Sequence, residues 1–154
     1  MRVYFAHPCF DKEQQQFKQE FLGRLGERIN LAEGGDRIAI VDPFDHAPNV
    51  EHSLEEKLRM SREIKTACLE LLQGCQVIMA LVDWNDTGTA FEAGYAHSLN
   101  MPLVLISRTT CSSANAMLLG AAYAQCDNIL EEKQMGILVG TLTAMTGNTA
   151  NRLY

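Results

Sequence analysis

The chain has 154 residues, 47% of them hydrophobic, and a formal net charge of -6 at pH 7. This length and composition predict a single domain over residues 1–154, with a core large enough to fold without disulfides. An acidic chain without a basic patch excludes nucleic-acid backbones and anionic membranes as expected partners.

Short β-prone runs alternate with longer helical patterns along the chain. The run at residues 77–82 is apolar throughout, which is typical of a strand buried on both faces of a sheet. The run at residues 2–6 ends at His7-Pro8 and also indicates a strand. We predict five strands, at residues 2–6, 37–41, 77–82, 102–106 and 128–130.

A helical pattern follows each predicted strand. Asp11 with Gln14, and Ser53 with Glu56, have the spacing of a capping box and predict the starts of the first two helices. Ser61 is a candidate bend in the second helix, and the polar loop before that helix is a candidate wall of a binding site. We predict helices at residues 11–33, 53–74, 89–100, 115–125 and 131–145.

This alternation predicts an α/β fold with a doubly wound, five-stranded parallel sheet and helices on both faces. The expected strand order is the flavodoxin-like 2-1-3-4-5. In that order the chain reverses direction between the first and third strands, and ligands bind outside their carboxyl ends. We therefore expect His7, Asp83 and Asp86, which follow these two strands, to meet at the binding site.

The five cysteines are an odd number with no C-x-x-C spacing, and the chain begins on a predicted strand without a secretory leader. These features favour a reducing cytoplasm. The longest apolar run is far shorter than the roughly 20 residues of a membrane helix. The histidine spacing predicts no metal site, and without a Walker or G-x-G-x-x-G loop we expect no cofactor.

The stretch after the third strand carries the candidate chemistry. Thr89 and Glu92 have capping-box spacing, so a helix is predicted to begin near Thr89, with Glu92 kept ionised by the helix dipole. An ionised, oriented carboxylate can attack an anomeric carbon, while Asp86 donates a proton or orients a hydroxyl. From spacing alone, a purely structural Glu92 that caps its own helix is the more common outcome.

The segment D-T-G-T-A-F-E-A-G-Y-A at residues 86–96 resembles the signature of the nucleoside 2-deoxyribosyltransferase family. In that family the glutamate is the nucleophile, so the resemblance implies this role for Glu92 and implies that Tyr4 hydrogen-bonds it. It also implies a homo-oligomer in which Asn115 crosses a subunit interface toward the sugar. The implied substrates are 2′-deoxynucleosides and free nucleobases, and the implied role is their salvage.

The resemblance also guides the predicted substrate-binding residues. Phe10 either stacks on the nucleobase or folds onto the core, and Asn115 is also read as the N-cap of its helix. Cys68 stands where the family often has an aspartate that handles the base, on what reads as a buried face where a thiol is inert. The full predicted set is Phe10, Asp83, Gly88, Asn115, Met117 and Tyr154.

We therefore expect a transferase that exchanges nucleobases through a deoxyribosyl ester on Glu92, with two inversions and ping-pong kinetics. One alternative is a 2′-deoxynucleoside 5′-monophosphate N-glycosidase, which would share the fold and the glutamate. Enzymes of that kind, which resemble this family in the core block, use a Ser-, Arg- and Gly-rich loop after the first strand for the phosphate, whereas here that loop reads H-P-C-F-D, without a glycine or arginine. The other alternative is a non-catalytic nucleotide-binding module.

Overall fold

A single parallel sheet of five strands forms the centre of the molecule, in the order 2-1-3-4-5. The computed structural model describes residues 1–46 and 53–150, with side chains as far as residue 147. The predicted fold class and strand order are confirmed. The strands are β1 (Arg2–Ala6), β2 (Ala39–Val41), β3 (Val77–Leu81), β4 (Leu103–Ile106) and β5 (Ala124–Cys126).

The first strand lies between the second and the third, so the chain reverses direction at β1. Tyr4 pairs with Val41 of β2 on one side and with Ile78 of β3 on the other. Each of these strands is short and apolar, and β1 and β3 are buried almost throughout because helices cover both faces of the sheet. The carboxyl ends of β1 and β3 thus lie side by side at the switch point of the sheet.

Two layers of helices cover the sheet. The first and last helices pack on one face around Phe21 and Leu138, and the other three pack on the opposite face around Leu72 and Ala93. Tyr4 belongs to this second face, whereas its neighbour Phe5 belongs to the first. The helices are α1 (Lys12–Leu31), α2 (Leu54–Gln73), α3 (Thr87–Ser98), α4 (Ala116–Ala121) and α5 (Glu132–Ala150).

The predicted starts of α1 and α2 are confirmed. Asp11 and Gln14 form the full capping box of α1, and the Ser53 hydroxyl accepts from the backbone of Glu56 at the start of α2. The bend predicted at Ser61 is wrong. Its hydroxyl donates to the Leu58 carbonyl 2.9 Å away, and the helix continues through it without interruption.

The predicted fifth strand is also wrong, because it is displaced by four residues. Asn128 has φ +47°, which belongs to a left-handed turn and not to a strand. Instead α4 ends at Ala121, the Tyr123 amide donates to the Leu103 carbonyl, and the next three residues pair with β4. The helix predicted up to residue 125 is therefore only six residues long.

Candidate active site

A hydrogen bond between β1 and α3 forms the centre of the site. The Tyr4 hydroxyl donates to Oε1 of Glu92 over 2.7 Å. Tyr4 is fully buried, and the pKa of its hydroxyl is raised by burial and by Glu92, so it remains a donor at every physiological pH. The carboxyl group of Glu92 therefore faces the sheet instead of capping its own helix.

The ionisation of Glu92 differs from the sequence-based expectation. Burial raises the pKa of its carboxyl group to about 7, against the lowering effect of the hydrogen bond from Tyr4, and Asp86 raises it further. The helix begins at Thr87, so Glu92 lies in the second turn, beyond the free N–H groups of the first. The expectation that the dipole keeps Glu92 ionised is therefore wrong, and both forms are present near neutral pH.

Asp86, and not Thr89, is the N-cap of α3. Its Oδ2 accepts from the Thr89 amide at 2.6 Å and from the Thr89 hydroxyl at 2.8 Å. The predicted capping box between Thr89 and Glu92 is wrong. The helix begins upstream of Thr89, and the side chain of Asp86, three residues before Thr89, caps its backbone instead. A Cβ at Gly88 would lie 3.1 Å from Asp86 Oδ2, so the glycine leaves room for this cap.

Cys68 of α2 lies beside the Tyr4–Glu92 pair. It is half-buried, and burial together with Glu92 raises the pKa of its thiol. The raised pKa agrees with the expected unreactive thiol, whereas the side chain is only half-buried.

The predicted substrate-binding residue Asp83 makes a structural contact. Its Oδ2 accepts from the Arg108 amide at 2.9 Å, and its Oδ1 accepts from the Ser107 hydroxyl at 3.4 Å. These bonds connect the loops after β3 and β4. Trp84 and Asn85, the two residues that follow, have φ of +65° and +47°, so the turn leading to α3 is strained.

Phe10 and its surroundings lie at the carboxyl end of β1. The Phe10 ring is 73% exposed and meets Phe44 edge-on, with the ring centroids 5.8 Å apart, so it is not folded onto the core. Beneath it, a buried cluster that the sequence analysis missed joins Asp42 to His7 at 3.2 Å and to Lys18 at 2.7 Å. Burial opposes ionisation of Asp42, but the hydrogen bonds from His7 and Lys18 outweigh it and lower its pKa to about 2.

A cavity of about 360 Å³ lies between α3 and α4. Asp86 and Asn115 are among its lining residues, as are Met117 and, from α3, Ala90 and Gly94, but Glu92 is not. Successive residues of a helix are rotated by about 100° around its axis. Glu92 therefore lies on the side of α3 that is opposite this cavity.

Asn115 caps α4, since its side-chain oxygen accepts from the Met117 amide at 2.9 Å. Within one chain, Tyr4, Cys68 and Glu92 therefore lie close together, whereas Asn115 lies on the opposite side of α3. Met117 is 82% exposed. Tyr154 lies outside the described residues.

The described part of the chain contains no group of three or more histidine, cysteine, aspartate or glutamate side chains that could hold a metal ion. None of its helices is both long and apolar enough to cross a membrane.

Comparison with known proteins gives a family and a set of similar folds. The family model described as nucleoside 2-deoxyribosyltransferase matches residues 3–139. No curated protein sequence matches. Among solved structures, a 2-deoxyribosyltransferase from the psychrotolerant bacterium Bacillus psychrosaccharolyticus is similar, with a TM-score of 0.62 and 21% identity, covering 88% of this chain and 96% of the other.

Two further solved structures share the fold. A conserved protein from Enterococcus faecalis V583 has a TM-score of 0.68 and 17% identity, over 92% of this chain and 98% of the other. A CMP N-glycosidase, BcmB, from Clostridium botulinum has a TM-score of 0.52 and 13% identity, over 89% and 97%.

Proposed function

This chain belongs to the nucleoside 2-deoxyribosyltransferase family, and we propose that it exchanges the nucleobase of 2′-deoxynucleosides through a covalent intermediate on Glu92. The hydrogen bond from Tyr4 to Glu92 at the switch point of the sheet is the observation that carries the proposal. It turns the carboxyl group away from its own helix and engages Oε1. The other oxygen, Oε2, is the one we assign to the attack.

In the first step Oε2 of ionised Glu92 forms a bond to C1′ of the deoxyribosyl group, and the bond from C1′ to the base nitrogen breaks. The base leaves with the bonding electron pair and takes up a proton, delivered by Asp86 or by a water that Asp86 orients. The product is a deoxyribosyl ester of Glu92. The lack of a 2′-hydroxyl favours this step, because an electron-withdrawing group would destabilise the oxocarbenium-like transition state.

In the second step a nitrogen of an incoming base attacks C1′ from the vacated side, the ester bond breaks to return the carboxylate, and the base gives up its N–H proton to Asp86 or to the water that Asp86 orients. Two inversions give net retention and ping-pong kinetics. Because the pKa of Glu92 is raised to about 7, the reactive ionised form grows as the pH rises through neutrality. The reaction suits the salvage of deoxynucleosides in the cytoplasm, and both the role and the location stay predictions.

The loop after β1 supports a nucleoside over a nucleotide as substrate. The side chain of Gln14 accepts from the Phe10 amide at 2.7 Å and from the Asp11 amide at 3.3 Å, so these two N–H groups already have partners. Asp11 also places a carboxylate at the start of α1. A helix N-terminus that is capped by an acidic side chain of its own repels a phosphate group instead of binding it.

Hydrolysis is the second candidate, because a solved structure with the same fold is a CMP N-glycosidase. Incubation with deoxyinosine and free adenine separates the two reactions. Formation of deoxyadenosine faster than free deoxyribose supports transfer, and the reverse order supports hydrolysis. The absence of both products over long incubation would leave the non-catalytic binding module.

Replacement of Glu92 tests the nucleophile. Glu92→Gln keeps the size of the side chain but removes its nucleophilic charge, and we expect a rate loss on the order of 10³-fold or more. Glu70→Gln, the same exchange at an exposed position on α2, is the matched control and should keep full activity. Near-native transfer by Glu92→Gln would contradict the assignment.

The positions of Glu92 and Asn115 favour a site shared between copies. They occupy opposite flanks of α3 in one chain, so Asn115 can reach a sugar on Glu92 only from a second copy. Phe91, Met117 and Tyr123 are 57%, 82% and 63% exposed, and such apolar surface is typical of an interface. We therefore propose a homo-oligomer in which Asn115 crosses the subunit boundary.

Mixing two variants that we expect to be inactive on their own tests this arrangement. Asn115→Asp keeps an oxygen that can cap α4 but changes the group offered to the sugar. In mixed oligomers of Glu92→Gln and Asn115→Asp, some shared sites contain neither substitution, so activity should return on mixing. If native mass spectrometry shows mixed oligomers and activity stays absent, the site does not combine residues from two copies.

A further inference from the structure

The turn between β3 and α3 carries the chain from one face of the sheet to the other. The ring of Trp84 packs against the core on the face covered by α1 and α5, whereas α3 covers the opposite face. Trp84 and the next residue, Asn85, have φ of +65° and +47°. A residue as bulky as tryptophan rarely adopts a positive φ, so contacts around the turn must hold it there.

Arg108, in the loop after β4, makes such contacts with its side chain. Its guanidinium group lies 4.8 Å from the centre of the Trp84 ring and 6.0 Å from the centre of the Phe17 ring of α1. Trp84 also meets Phe17 edge-on, with the ring centroids 5.9 Å apart. Nη1 of Arg108 donates to Oε1 of Glu13, in the first turn of α1, at 2.6 Å. The Trp84 ring is thus held between α1 and the loop after β4.

The backbone of Arg108 holds the same turn at its first residue. The Arg108 amide donates to Oδ2 of Asp83 at 2.9 Å. The residue that follows the turn is Asp86, whose Oδ2 accepts from the Thr89 amide at 2.6 Å and caps α3. Movement of the turn would therefore displace Asp86 and the start of the helix that carries Glu92.

We propose that Arg108 is a positioning residue of the Glu92 site, which holds Trp84 and the strained turn so that Asp86 keeps a fixed place at the start of α3. The kinetic consequence rests on the proposed transferase function, whereas the effect on Asp86 and Glu92 does not. The ion pair between Arg108 and Glu13 is partly exposed, and such pairs contribute little to stability. We therefore expect its loss to leave the protein folded and to act on the site.

The groups that act on Glu92 define the expected change. Tyr4 on β1 and Cys68 on α2 favour the ionised carboxylate, whereas burial and Asp86 oppose it. If Asp86 leaves its position, its opposition weakens, and Glu92 should titrate at a pH that is lower by about 0.3 to 1 unit. The loss of the positive charge at Arg108 would by itself have the opposite effect. A downward shift therefore reports movement of Asp86.

Two substitutions break the ion pair from either side. Arg108→Gln removes the guanidinium group, and Glu13→Gln leaves Arg108 without its carboxylate partner. Glu20→Gln is the matched control, because Glu20 is also an exposed glutamate of α1 but pairs with Arg24 of the same helix at 2.8 Å. Asp86→Asn keeps an oxygen that can cap α3 but removes the charge. Unfolding of each variant in urea verifies that it is folded under the conditions of the titration.

The test follows the titration of Glu92 by carbon NMR of its side-chain carboxyl group. We expect the midpoint to fall in Arg108→Gln and Glu13→Gln and to stay at the wild-type value in Glu20→Gln. In the Asp86→Asn background, Arg108→Gln should produce no downward shift. A midpoint that is unchanged or raised in Arg108→Gln, or a fall of equal size in the Asp86→Asn background, overturns the proposal.

Kinetics measure the consequence for the proposed reaction. Because Asp86 is assigned there to the proton transfer, Arg108→Gln should lower kcat by about 10- to 100-fold while KM changes little, since a displaced catalytic group mainly affects the chemical step. A kcat equal to that of wild type would contradict the positioning role. A wild type without nucleobase transfer would contradict the proposed function alone, because the NMR titration does not depend on turnover.

Discussion

Replacement of Glu92 by glutamine is expected to stabilise the protein at alkaline pH while it abolishes turnover. The wild-type side chain is largely buried beside Tyr4, and its pKa is raised from 4.5 to about 7. The folded state therefore binds a proton more tightly than the unfolded chain does. The amide of glutamine has nearly the same shape and can still accept from Tyr4, but it never becomes charged.

The sign of the effect follows from proton linkage. The stability contributed by protonated Glu92 is fully present below pH 4.5, which is the pKa of the side chain in the unfolded chain. It is lost as the pH rises through about 7, the pKa in the folded state. The complete loss corresponds to about 3 kcal/mol. Part of the side chain is exposed to solvent, so we expect a measured difference of about 1 to 2 kcal/mol.

The assay is urea or thermal unfolding of wild type and Glu92→Gln at pH 5 and at pH 8. At pH 5 both side chains are neutral in the folded state, and because this pH is only half a unit above the unfolded pKa of 4.5, the unfolding free energies should differ far less than at pH 8. At pH 8 the variant should be more stable, which for a chain of this length raises Tm by about 2 to 8 °C. Glu70→Gln at an exposed position should show no such divergence, and an equal pH dependence of wild type and Glu92→Gln would refute the reasoning.

Substitutions at three other positions have defined outcomes. Tyr4→Phe removes a buried hydrogen bond to a charged group, so the pKa of Glu92 should rise by about one to two units. At pH 7 kcat/KM should then fall about 5- to 50-fold, and the pH–rate profile should show the activity recovering at higher pH. Asp42→Ala leaves Lys18 without its buried partner and should cost about 3 kcal/mol in urea unfolding. In wild type, the stability from ionised Asp42 should be lost as the pH falls from about 4 through about 2 in acid titrations. Asp86→Ala removes the cap of α3 at a cost of about 1 kcal/mol, whereas Asp86→Ser should retain most of the stability because a serine still caps.

The fold was predictable where sequence pattern and burial agree. The runs at β1, β3 and β4 are apolar and lie in the interior of the sheet, so composition alone marks them. The fifth strand, with the sequence A-Q-C, has little intrinsic β-propensity and exists because the edge of β4 is available for pairing. The apolar pair Ile129-Leu130 favoured the wrong segment, although a left-handed turn at Asn128 precedes it.

The candidate site was predictable in its composition but not in its electrostatics. The resemblance to a family identified Tyr4 and Glu92, and the structure places them in contact. Spacing could not decide between Asp86 and Thr89 as the cap, because both residue types cap helices and they lie three residues apart. The raised pKa of Glu92 depends on how deeply a tertiary contact buries it, and a linear pattern does not report that depth.

The environment of Glu92 also explains why a neutral donor suits the proposed chemistry. In the proposed reaction, a lysine or arginine beside the carboxylate would keep it ionised, but it would also hold the electron pair that Glu92 donates to C1′ and so weaken the nucleophile. Tyr4 orients the group without neutralising it, and the carboxylate of Asp86 raises its proton affinity. The higher proton affinity that makes ionised Glu92 costly for folding is thus the same property that, in the proposed reaction, makes it more reactive toward C1′ of the sugar.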